Sequence, residues 1–151
     1  MYTNLEIAQA PLPQNRSLKL TPRGYHAVMA LVELAGQNSE NPVPLAEIAD
    51  AGKISLSYLE QLFAGLRRHG LVKSARGPGG GYKLAKAASD ISVADIFIAA
   101  EDSVPGKRMQ GRNQNEAGGN TPTRALWDHI ERTLYADLSE RSLDDVLRQT
   151  L

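Results

Sequence analysis

Apolar residues recur at intervals of three and four along most of this chain, the period of helices with one buried face. The first such stretch is LTPRGYHAVMALVELAG, where Tyr25, Val28, Met29 and Val32 share a face that is expected to join the core. Thr21 is the candidate N-cap, Pro22 suits the first helical position, and Gly36 is expected to close the helix. A shorter helix follows in VPLAEIADAG, opened by Pro44, with Leu45 and Ile48 inward and Gly52 after its end. Next, ISLSYLEQLFAGLRRHG places Leu59, Leu62, Phe63 and Leu66 on one face and stops at Gly70. Ser57 and Glu60 have capping-box spacing at its start, the serine oxygen and the carboxylate each accepting from an otherwise free backbone N–H.

After Gly70 the period changes. LVKSARGPGGGYKLA reads as strand, glycine-rich turn and strand. Two short helices joined by a tight turn near Gly52–Ile54, with a hairpin directly behind them, make the winged helix-turn-helix arrangement. Helical spacing then resumes. Ser92 and Asp95 cap VADIFIAA, while Thr121 and Pro122 open TRALWDHIERTLYADL. There Leu126, Ile130, Leu134 and Leu138 form a stripe flanked by Trp127 and Tyr135. Ser142 and Asp145 cap a last helix carrying Leu143, Val146 and Leu147. So broad a stripe in a small chain needs a partner, and a second copy is the expected one.

The predicted fold is therefore mainly α with a small β-hairpin wing, a winged helix-turn-helix plus a long dimerisation helix. Its expected organisation is a flexible N-terminal arm at 1–18, a winged-helix DNA-binding domain at 19–100, a loop at 101–120, and the dimerisation and C-terminal helices at 121–151. The loop contains PGKRMQGRNQNEAGGNT, whose only aliphatic side chains are Met109 and Ala117. Connections of that length tend to be functional or disordered.

Composition narrows the chemistry. The 151 residues are 42% hydrophobic, enough for a core, yet only 5% aromatic, so the core must be aliphatic. No apolar run is long enough to span a membrane, and the N-terminus lacks a secretory pattern. With no cysteine, disulfides and thiolate chemistry are excluded, and a cytoplasmic protein is expected. Net charge is zero but polarised. Lys53, Arg67, Arg68, Lys73, Arg76, Lys83 and Lys86 face a single acid, Glu60, between 53 and 87. Such a field suits double-stranded DNA.

RGPGGGY is not a phosphate loop, because no Gly-Lys-Ser/Thr follows and Tyr82 stands where the dinucleotide pattern needs glycine. As a hairpin tip, Arg76, Gly77, Pro78 and Gly79 suit insertion beside a groove, the guanidinium drawn to the negative minor groove. Ser55, Ser57, Tyr58, Glu60 and Gln61 lie in the first turns of the second helix, the part that reads bases in a helix-turn-helix. Arg67, Arg68 and His69 are expected at phosphates or in solvent. No catalytic constellation occurs: His26, His69 and His129 are scattered, Asp128, His129 and Glu131 make at best a weak metal group, and no nucleophile motif is present. An enzyme is not expected.

ISLSYLEQLFAGLRRHGLV followed by SARGPGGGYKL closely resembles the winged-helix regulators of the Rrf2 family, in particular its IscR-like branch. LTPRGYHAVMALVELA, PVPLAEIA and EDSV…RALW match as well, so the resemblance runs from Leu20 to about Leu147. It implies a homodimeric transcription factor, such as a repressor, on a palindromic operator, with Ser55, Ser57, Glu60 and Gln61 at base-contacting positions and Arg76 as the wing arginine. It also implies a [2Fe–2S] cluster in the loop, held by three cysteines and a histidine. At those four positions this chain has Met109, Asn115, Thr121 and Arg124, none a usual cluster ligand. The expectation is a cluster-free regulator without a cofactor. Two other readings stand beside it: a protein-interaction module that heterodimerises with a related regulator, and an iron or small-ligand sensor using Glu101, Asp102, Glu116 or His129.

Overall fold

The computed structural model describes residues 20–37, 40–103 and 122–151. The expected N-terminal arm, Met109, Asn115, Glu116 and the cap at Thr121 lie outside these. In chain order come α1 (Pro22–Gly36), α2 (Leu45–Gly52), α3 (Leu56–Arg68), strands β1 (Val72–Ala75) and β2 (Gly81–Leu84), a 3-10 turn at Ala88–Asp90, α4 (Val93–Glu101), α5 (Pro122–Glu140) and α6 (Leu143–Arg148).

Thr21 caps α1 by accepting from the Gly24 N–H, and Pro22 sits at the helix start. The expected face is only half inward: Val28 and Val32 pack against the core, but the fully buried positions lie beside them. Gly24, Ala27, Ala30, Leu31 and Leu34 point inward, whereas Tyr25 is 60% and Met29 50% exposed. The cause is close approach. The Phe97 ring of α4 stands against Gly24 where a Cβ would otherwise be, so the face with the smallest side chains is the one that packs.

The turn between α2 and α3 also differs from expectation. Gly52 is the last helical residue rather than the one after it, and Lys53 takes the left-handed conformation, with φ of 52°. The chain then enters α3 at Ser55, whose Oγ accepts from the Tyr58 N–H at 3.3 Å. The cap is thus Ser55, and the Ser57–Glu60 capping box does not form. Ser57 and Glu60 are both exposed. Leu59, Leu62, Phe63 and Leu66 are fully buried at the centre of the core, as their spacing requires.

Strands β1 and β2 pair antiparallel, with Val72 opposite Leu84 and Ser74 opposite Tyr82. A third segment joins them: Val43 and Tyr82 exchange both backbone hydrogen bonds, at 2.9 and 2.8 Å. Gly81 makes this approach possible, since its φ of 158° is awkward for other residues and a Cβ there would strike the Val43 carbonyl. Behind the hairpin, α4 is buried along Val93–Ala100 except for Asp95. Its cap is Ser92, accepting from the Asp95 N–H.

Helix α5 runs on to Glu140, two residues past the expected stretch. Its second half packs Leu134, Tyr135 and Leu138 on Val93, Phe97 and Ile98. Its first half leaves Leu126 (52%), Trp127 (55%) and Ile130 exposed. A full capping box between Ser142 and Asp145 starts α6, whose Leu143 reaches the core.

Candidate nucleic-acid interface

The start of α3 and the tip of the wing are the two exposed, polar features beside the basic segment. Ser55, Ser57, Glu60 and Gln61 are exposed, and Ser57 and Gln61, four residues apart, share a helix face. Because Ser55 does the capping, Ser57 and Glu60 are free to point outward and hydrogen-bond a base edge. The wing tip, Arg76, Gly77, Pro78 and Gly79, is exposed throughout. Gly77 and Gly79 have φ of 91° and 75°, and the Gly80 N–H closes the turn on the Gly77 carbonyl at 2.8 Å. The tip is therefore almost pure backbone with one guanidinium at its base.

Tyr58 behaves differently from its neighbours. It is half-buried and turns back toward α1, with its hydroxyl 2.8 Å from His26 Nδ1 and the two rings edge to face at 5.4 Å. The Arg23 guanidinium lies 5.2 Å from the Tyr58 ring centre. Burial pushes the Tyr58 hydroxyl above the usual phenol range, and the Arg23 charge partly offsets this.

The expectation for His69 is corrected, while Arg68 is exposed as expected but also engaged. Asp102, just past α4, accepts from His69 Nε2 at 3.0 Å and lies 3.6 Å from Arg68 Nε, and its carbonyl accepts from Arg68 at 2.7 Å. The end of α3 packs beside the end of α4, so Asp102 engages both side chains, while Arg68 stays open to solvent. Arg67 stays exposed. Glu101 is likewise engaged, accepting from the Thr21 hydroxyl at 2.7 Å. Of the three acids considered as iron ligands, Glu101 and Asp102 thus already serve the body of the fold, and Glu116 lies outside the described residues. Among the described residues no group of three His, Asp or Glu could hold a metal ion, Asp128, His129 and Glu131 included. Arg124 lies half-buried in the first turn of α5.

One feature of the interface is invisible without the register. Lys73 stands directly opposite Lys83 across the hairpin. Like charges so placed repel in the free protein, a cost that an anion lying against them would offset. Hairpin length and turn type, had they been fixed from RGPGGGY alone, would have exposed the pair.

Known proteins share this arrangement. The family model for Rrf2, described as an iron-dependent transcriptional regulator, matches residues 20–149. The HTH-type transcriptional regulator IscR of Photorhabdus laumondii is 46% identical over 130 residues, which is 86% of this chain and 79% of that protein. IscR of Escherichia coli is 43% identical over 130 residues, covering 86% of this chain and 80% of its own length. Among solved structures, T. potens IscR superimposes with a TM-score of 0.69 at 35% identity, covering 89% of each chain. CymR, the global cysteine regulator of B. subtilis, gives 0.66 at 31%, covering 89% of this chain and 99% of its own. No helix among the described residues is long and apolar enough to cross a membrane. With these relatives, the capped helix and the glycine-rich wing have one reading: the chain belongs to the Rrf2 family and is a winged-helix DNA-binding transcriptional regulator, not an enzyme.

Proposed function

We propose that the protein works in the cytoplasm as a homodimer that reads a two-fold symmetric operator without an iron–sulfur cluster. The observation that carries this reading is the exposed first turn of α3, with Ser57, Glu60 and Gln61 outward beside the Arg76 wing. Ser55, Ser57, Glu60 and Gln61 serve the major groove, and Arg76 to Gly79 the adjacent minor groove; Tyr58, expected among the base-reading residues, instead turns back to His26 behind them. The exposed Leu126, Trp127 and Ile130 of α5 support a second copy as partner. The deciding experiment is selection of bound DNA from a random pool with metal-free protein at physiological salt. A two-fold symmetric site is expected. Failure to enrich any sequence from a folded dimer would sink the reading, and a co-purifying protein partner would then favour the interaction module.

Arg76→Ala is expected to weaken operator binding by about 1–3 kcal/mol. Titration of labelled operator checks this, and an unchanged affinity would remove the wing from the interface.

The donor set does not fit the family's cluster. Met109, Asn115, Thr121 and Arg124 offer a thioether, an amide, a hydroxyl and a permanent cation, and the chain has no cysteine to supply a thiolate. Protein purified anaerobically from iron-supplemented cells is expected to contain no stoichiometric iron and no visible cluster absorption. Iron bound at one or more per chain would restore the sensor reading.

A further inference from the structure

The first turn of α3 must present Ser57 and Gln61 at a fixed angle if they are to tell one base edge from another. Leu59 and Leu62 bury the inner face of that turn, and apolar contacts alone do not fix its rotation to hydrogen-bond tolerance. A directional contact does. Tyr58 is bonded to His26 on α1 and crossed edge to face by its ring. Arg23, one turn earlier on α1, approaches the same tyrosine and is itself held by the Ser103 hydroxyl, at 2.6 Å from its terminal nitrogen and 3.2 Å from Nε. Ser103 is buried, so one end of this anchor is shielded from water. The His26–Tyr58 bond forms in either imidazole tautomer, because one partner can always donate and the other accept.

We propose that His26 is a positioning residue for base recognition, latching the first turn of α3 to α1 through the Tyr58 hydroxyl. The proposal rests on α3 being the reading helix. Phosphate contacts set affinity whatever the sequence, while base contacts set discrimination. A loosened first turn therefore costs selectivity first.

The test uses the full-length dimer, the operator recovered by selection, and single-base-pair variants of that operator, titrated at several salt concentrations. Tyr58→Phe keeps the ring and removes only the hydroxyl, so folding is not at stake. His26→Phe keeps an edge-to-face ring and removes the nitrogen. Each is expected to lower the ratio of operator to variant affinity by roughly two- to tenfold, the span of one ordinary hydrogen bond. The double variant is expected to lose no more than either single one, because both remove the same bond. His26→Asn, which returns a side-chain hydrogen-bonding group, is expected to restore most of the ratio. Binding to unrelated DNA and the salt slope are expected to stay constant.

An unchanged ratio in both single variants overturns the latch, as do losses that add or a His26→Asn protein no better than His26→Phe. A salt slope shallower by about one with the ratio intact also overturns it, marking His26 as a phosphate contact instead. A wild-type protein that enriches no site brings down the reading of α3 itself, and the latch with it.

Discussion

Trp127→Asp combined with Ile130→Asp is expected to turn the proposed dimer into a monomer and to weaken operator binding by about a hundred- to ten-thousandfold. Trp127 is 55% and Ile130 36% exposed in the single chain, so the carboxylates can reach water and the monomer is expected to stay folded. At a dimer face the same carboxylates would be buried without partners, a cost far above that of an ordinary surface change. Helix α5 has 19 residues, of which Ala136 is the buried one among those described, an uneven distribution for a helix so rich in large apolar groups. Tyr25 and Met29 of α1 are also exposed, and Tyr25 meets Phe97, the ring against which the second half of α5 packs. The loss in DNA binding follows from effective concentration: one docked half-site no longer holds the second close to its groove. Sedimentation at micromolar concentration and operator titration read the two effects together. A variant that stays dimeric would move the interface off α5.

Phe63→Ala is expected to destabilise the fold by about 3–5 kcal/mol, lowering the melting temperature by on the order of 10–20 °C. Phe63 is fully buried in α3, and its ring lies 4.9 Å from that of Tyr82 in β2 at an edge-on angle of 69°. It therefore fills the centre of the core and joins α3 to the wing. Phe63→Leu keeps most of the volume and should cost markedly less. Thermal unfolding of the two variants makes the comparison, and equal losses would show that volume has little to do with it.

What could be read in advance followed strength and locality of the signal. Leu59, Leu62, Phe63 and Leu66 sit on a helix with only one apolar face, and all four are core. The glycine-rich tip and the Ser92 and Ser142 caps are local, and each forms where it was expected. Helix α1 misled because it is apolar on two sides. Bulk favoured Tyr25 and Met29, whereas the close approach of Phe97 chose Gly24, and which side packs depends on a helix some seventy residues away. Two serines competed for the α3 cap. The left-handed Lys53 decided between them, and lysine gives no warning of that conformation. The Val43–Tyr82 pairing and the Arg23–Ser103 anchor join residues distant in sequence, so no local pattern announces them.

The stitch between Val43 and Tyr82 bears on how such regulators can be rebuilt. A reading head is more than the residues proposed to face the groove. Because the second wing strand is bonded to the segment leading into α2, and fits there only with glycine at 81, the wing inherits its angle from the helix pair it accompanies. Exchange of operator preference between relatives should then travel as one cassette from 43 to 84. Grafts of the α3 turn or the wing tip alone would carry the letters of a new address on the frame of the old one.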